Sequence, residues 1–162
     1  MRLFHGSTKV VELPVILANQ RLLDFGKGFY TTTNSVQAEN WALVKQKREG
    51  VKAKPVVSVY EMDGNMLTSG IYKVKIFSKA DAQWLDFIIA NRTGTINHNF
   101  DIVKGAVAND ALYSTLLLFE TGVLSKEETI VRLKTHKLFD QLSFHNSQVL
   151  EEIKFVESYQ VI

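Results

Sequence analysis

The apolar positions of this chain fall into two periodicities. Short runs rich in Val, Ile, Phe or Tyr at residues 2–5, 28–32, 55–61, 71–77, 101–107, 141–145 and 153–159 predict seven β-strands. Between them, longer stretches repeat apolar residues at helical spacing. The segment "NSVQAENWALVKQKRE" (34–49) predicts a helix capped by Asn34 or Ser35, with Val36, Trp41 and Val44 near one face and Gly50 and Pro55 beyond its end. "KADAQWLDFIIANR" (79–92) places Trp84, Leu85, Ile88 and Ile89 at helical spacing. "NDALYSTLLLFETG" (109–122) follows Asn109 or Asp110 as cap and stops at Gly122, and "SKEETIVRLKTHK" (125–137) opens on a Ser125, Glu128 capping box. Strands at both ends with helices grouped between them predict an α+β fold rather than an alternating parallel sheet. With 162 residues and no repeat or low-complexity linker, the pattern predicts one domain, 1–162.

Composition narrows the classes of function. The net charge is +2 with acids and bases interspersed, so charge indicates neither a nucleic-acid nor a membrane footprint, though nucleic-acid binding stays open. The absence of cysteine removes disulfides and thiolate metal sites and fits a reducing compartment. The N-terminal "MRLFHGSTKV" has no apolar run of signal-peptide length, and no apolar stretch is long enough to span a bilayer. A soluble cytoplasmic protein is the expectation.

Little chemistry announces itself by spacing. His5, His98, His136 and His145 are scattered without a metal-ligand pattern, so no metal is expected. His98, in the polar "TGTINHNF" turn, reads as solvent-facing, and His136 and His145 as surface or strand-end residues. In "LFHGS", His5 ends an apolar strand, Gly6 would let a ligand approach the backbone and Ser7 offers a hydroxyl. The pair Gly26 and Gly28 lacks the third glycine of a dinucleotide fingerprint and is no P-loop, which leaves a turn with unusual dihedrals as the local reading. Tyr30 and Trp41 read equally well as core. Acids are isolated, with Glu151 and Glu152 a solvated segment end.

Taken together, "LFHGS", "FGKGFY", Trp41 in the next helix and "FDQLSFHNSQVLEEIKF" (139–155) resemble the three motifs of ADP-ribosyltransferases of the diphtheria-toxin and poly(ADP-ribose) polymerase kind, summarised as His, Tyr, Glu. Length and motif order look still more like a small bacterial family filed as a domain of unknown function, number 3990, over nearly the whole chain. The resemblance implies two packed, mostly antiparallel sheets that form a cleft for NAD, flanked by helices, and a mono-ADP-ribosyltransferase acting as the toxin half of a toxin–antitoxin pair. NAD would be substrate, an antitoxin the partner, and the acceptor is not specified. His5 would bond an adenosine ribose hydroxyl, Gly6 would offer backbone groups to the nicotinamide amide, Ser7 would add a polar contact, and Gly28 would be a further cofactor-binding residue. Tyr30 and Trp41 would form the walls of an aromatic slot for the nicotinamide ring. Asn109 and Asp110 would sit at the rim, where a carboxylate could orient an acceptor.

The chain departs from the pattern at Gln141, which stands where the family carries its catalytic glutamate. An amide accepts a hydroxyl hydrogen bond but brings no charge and is no general base. Asp140 is adjacent, yet in a strand its side chain points to the opposite face. Ala38 replaces a serine that bonds the nicotinamide amide, and Phe139 stands where Arg-modifying relatives place a glutamine or glutamate. Single-unit transfer, NAD hydrolysis, or a catalytically silent binding module with the same fold are the readings this leaves.

Overall fold

The computed structural model describes residues 1–107, 110–134 and 139–162. Strands β1 (Arg2–Ser7), β2 (Phe29–Thr31), β3 (Val56–Glu61), β4 (Val74–Ile76), β5 (Ile102–Ala106), β6 (Asp140–Phe144) and β7 (Lys154–Gln160) follow the seven predicted runs. Their hydrogen bonds sort them into two sheets, β1-β3-β7 and β2-β6-β5-β4. All neighbours are antiparallel except β4 and β5. Five helices accompany them among the described residues: α1 (Ser35–Glu49), α2 (Ala82–Arg92), α3 (Asp110–Glu120), α4 (Lys126–Lys134) and α5 (Ser147–Glu151). The chain is therefore α+β, as the pattern predicts.

Alternation along the strands builds the layers. Leu3 and Tyr60 from the first sheet meet Phe29, Ile102, Leu142 and Phe144 from the second, so the two sheets share one apolar core. The outer face of the second sheet packs Val103 against Trp84, Leu85 and Ile88 of α2, Leu116 of α3 and Leu133 of α4. The outer face of the first sheet packs Val57 and Val59 against Ala38 of α1.

Helix α1 corrects the sequence reading of its buried face. Val36 is exposed and Trp41 only half-buried, while Ala38 and Ala42 are buried. The cause is Gly6: a methyl group there would lie 2.0 Å from the Ala38 carbonyl oxygen and 2.8 Å from the Ala42 nitrogen. Strand and helix backbones are in close contact, and only small helix residues fit the seam. Asn34 is the N-cap, its side chain accepting from Gln37 N at 3.0 Å. Asn34→Ala should lower stability by about 1 kcal/mol, read as a lower urea midpoint at unchanged slope. No helix among the described residues is long and apolar enough to cross a membrane.

Candidate functional site

The two sheets touch edge to edge through one bridge and then part. Phe4 and Thr32 exchange both backbone hydrogen bonds, at 2.8 and 3.0 Å. Continuing that ladder would pair Gly6 with Tyr30. Instead the Tyr30 carbonyl accepts from His5 Nδ1 at 2.7 Å, so the histidine side chain takes the place of the next backbone bond. Backbone groups alternate direction along an antiparallel strand, so the N–H and C=O of Gly6 face the same edge as those of Phe4. They point into the opening between the sheets.

That opening is a cavity of about 600 Å³. His5, Gly6, Ser7, Gly28, Tyr30, Trp41 and Gln141 all line it, brought from four separate parts of the chain. Asn109 lies outside the described residues, as does His136, and Asp110 is placed only as the first residue of α3.

The state of His5 follows from its surroundings. Burial lowers its pKa to about 3, the Lys45 ammonium pushes the same way, and the Tyr30 carbonyl opposes both. The ring is neutral at pH 7, and because a carbonyl only accepts, Nδ1 carries the proton. Nε2 is left as a lone-pair acceptor with no protein partner among the described residues. Phe29 stacks on the ring at 4.6 Å and fixes its plane.

The "FGKG" turn is held from several sides. Tyr30 bends back over it, its hydroxyl donating to Gly26 O at 2.6 Å and accepting from Phe25 N at 3.0 Å. Gly26 has φ +86°, as the turn reading expects, but Gly28 does not have a positive φ; its role is close approach, since a methyl group there would lie 2.8 Å from Phe144 O. The turn also corrects the reading of His98 as solvent-facing. His98 is half-buried, packed against Phe87 and Phe100, with Nε2 2.8 Å from Phe25 O. His145 Nδ1 lies 2.7 Å from Lys27 O, so two histidines hold two carbonyls of the turn. Sequence gives no hint of this, because the partners lie 73 and 118 residues away.

Trp41 and Tyr30 are both half-buried on the cavity wall. The Arg48 guanidinium lies 5.5 Å from the Trp41 ring, one turn pair along α1. Arg21, Lys45 and Arg48 all reach the cavity, a set of cations the sequence reading missed. Lys45 and Arg48 follow Trp41 at helical spacing, which is the signal that could have found them.

Gln141 is 7% exposed, and its Nε2 donates to Asp24 Oδ2 at 3.1 Å and to Ala106 O at 3.2 Å. Asp140, next to it on β6, also lines the cavity and accepts from Thr33 N, Thr33 Oγ1 and Thr32 Oγ1 at the entry to α1. Lys104 is 3.8 Å from it. Asp140 is thus committed to holding the turn after β2. Asp24 lines the cavity and is 4% exposed. Its one sequence signal is a lone acid among apolar neighbours in "LLDF".

Among the described residues no three His, Asp or Glu side chains come together as a metal-holding group. No curated protein and no solved structure matches the chain. A family model described as "Protein of unknown function (DUF3990)" matches residues 1–155, nearly the full length, and the chain belongs to that family.

Proposed function

We propose that the cavity binds NAD and that the protein transfers single ADP-ribose units from it to an acceptor. The observation that carries this reading is the convergence of His5, Gly6, Tyr30, Trp41 and Gln141 on one opening between the sheets. A volume of about 600 Å³ falls within the roughly 300–1,000 Å³ of small-molecule sites.

The polar groups suit the parts of the ligand. The outward N–H and C=O of Gly6 form a donor–acceptor pair, the complement of a carboxamide. The unprotonated Nε2 of His5 accepts a hydrogen bond, the complement of a ribose hydroxyl. A cationic pyridinium ring gains from the π faces of Tyr30 and Trp41, and Arg21, Lys45 and Arg48 supply positive charge for a diphosphate. Gln141 favours a second reading, a module that binds NAD and does not cleave it, because an amide contributes no charge to an oxocarbenium-like state.

Calorimetric titration of the protein and of Trp41→Ala with NAD, with nicotinamide release measured alongside, tests both. Wild-type binding should weaken about tenfold or more in Trp41→Ala, as expected for loss of a cation–π face. Nicotinamide release separates the transferase from the silent binder. A wild-type protein that ignores millimolar NAD would overturn the reading.

A further inference from the structure

The side of α1 that borders the cavity carries Trp41, Lys45 and Arg48. Spaced four and then three residues apart, they follow one another along a single helix face. Among the described residues neither the Lys45 nor the Arg48 side chain makes a hydrogen bond or an ion pair. Glu49, the nearest acid in sequence, accepts instead from Thr8 Oγ1 at 2.7 Å. The Arg48 guanidinium rests over the Trp41 ring, 5.5 Å from its centroid, as a planar and weakly hydrated cation does on an indole.

That contact uses the same π system that the pyridinium ring of NAD would use. Two cations on one indole repel each other and share one negative quadrupole. A free pyridinium offers Arg48 nothing in exchange. A ligand that also carries a diphosphate does, because a guanidinium gains more from a bidentate phosphate contact than from an exposed ring. Lys45, one turn earlier on α1, brings a second cation to the same anion. Burial lowers the Lys45 pKa, Glu49 opposes, and the Arg48 charge adds to the fall, so an anion beside both cations relieves a cost that the fold carries.

We propose that Arg48 is a cover on Trp41 that the diphosphate of the ligand draws away, so the cavity takes a dinucleotide in preference to a free pyridinium. This rests on the NAD reading of the cavity. With Arg48 on the indole, other cations are kept off it. When a dinucleotide enters, Arg48 turns to the diphosphate beside Lys45, and the pyridinium takes the ring face it leaves. The exchange is driven by the ligand's different affinity for the two positions of Arg48. Arg48 is thus a specificity-determining residue that touches no reacting atom.

Four proteins test this: wild type, Arg48→Gln, Trp41→Ala and the double variant Trp41→Ala/Arg48→Gln. Calorimetry measures each against NAD, against ADP-ribose, which has the diphosphate and no pyridinium, and against 1-methylnicotinamide, which has the cationic ring and no phosphate. Arg48→Gln should bind 1-methylnicotinamide about threefold tighter and ADP-ribose about tenfold weaker. NAD carries both parts and should fall between them, about threefold weaker. Opposite signs for the two halves are a result that a role in holding the fold would not produce. In the Trp41→Ala background the gain for 1-methylnicotinamide should vanish while the loss for ADP-ribose stays.

A free pyridinium bound no better by Arg48→Gln than by wild type, no binding by either included, would overturn the cover. So would ADP-ribose bound equally by the two, or a gain that persists without Trp41. A wild-type protein that ignores NAD overturns the reading of the cavity, and this inference with it. NAD bound by wild type, with both halves unmoved by Arg48→Gln, overturns this inference alone.

Discussion

Gly6→Ala should destabilise the protein by about 3 kcal/mol or more, the upper range for overpacking a tight seam, and lower its melting temperature by roughly 10 °C. The added methyl group would meet the Ala38 carbonyl oxygen at 2.0 Å and the Ala42 nitrogen at 2.8 Å. Both are helix backbone, so no side-chain rotation can relieve the clash, and α1 would have to move away from β1 as a body. Gly6 has no positive φ, so the effect is steric rather than torsional. Gly64→Ala is the control: nothing lies within 4 Å of its added carbon, and its effect should stay within about 0.5 kcal/mol. Because Ala38, Trp41, Lys45 and Arg48 all line the cavity from α1, the same displacement should weaken NAD binding in whatever fraction of Gly6→Ala remains folded. Calorimetry of the two variants, after thermal melting, checks both parts. A melting temperature for Gly6→Ala equal to wild type would contradict the close seam between β1 and α1.

The same seam shows what the sequence could and could not reveal. Seven runs of alternating or continuous apolar residues were enough to place the strands, and the Asn34 cap and Gly50 stop bounded α1 to within a residue. The buried face of α1 was not legible, because hydrophobicity points to Val36, whereas the close approach of Gly6 selects Ala38 and Ala42. Helix α5, with five residues, is too short to show a helical period. At the site, spacing alone left Tyr30 and Trp41 readable as core and Gly26 and Gly28 as a turn; the resemblance picked the motif residues out, and the fold brings them to one cavity. Asp24, Arg92 and the two histidines behind the turn were illegible, since each depends on a partner far along the chain. A lone acid or histidine has no period to betray it. Only the topology, which sets β6 between β2 and β5, brings Gln141 beside Asp24.

Stability should fall steeply as pH drops from 7 to 5, by about 4 kcal/mol from His5 and His145 together. Burial holds His145 down to about 4, with His98 adding to the effect and the Lys27 carbonyl and Asp101 opposing it. His5 is held at about 3 by burial and Lys45. In the unfolded chain both rings take up protons near their ordinary value of 6.5. Between that value and the folded ones the unfolded state binds more protons, so stability is full above about pH 6.5 and is lost as pH falls toward 4 and then 3. Against a total of about 5–15 kcal/mol for a typical domain, the loss is large, and urea unfolding from pH 7.5 to 4.5 should show a falling midpoint. His145→Asn, whose amide can donate to the Lys27 carbonyl without taking up a proton, should remove about half of the slope between pH 7 and 5. A midpoint that stays flat over that range would show that the two rings are not held neutral by the fold. NAD affinity of the folded protein should behave differently. His5 Nε2 keeps its lone pair until pH nears the folded value of about 3, so affinity should hold constant between pH 7 and 5 while stability declines, and the two curves separate a ring that serves the ligand from one that serves only the fold.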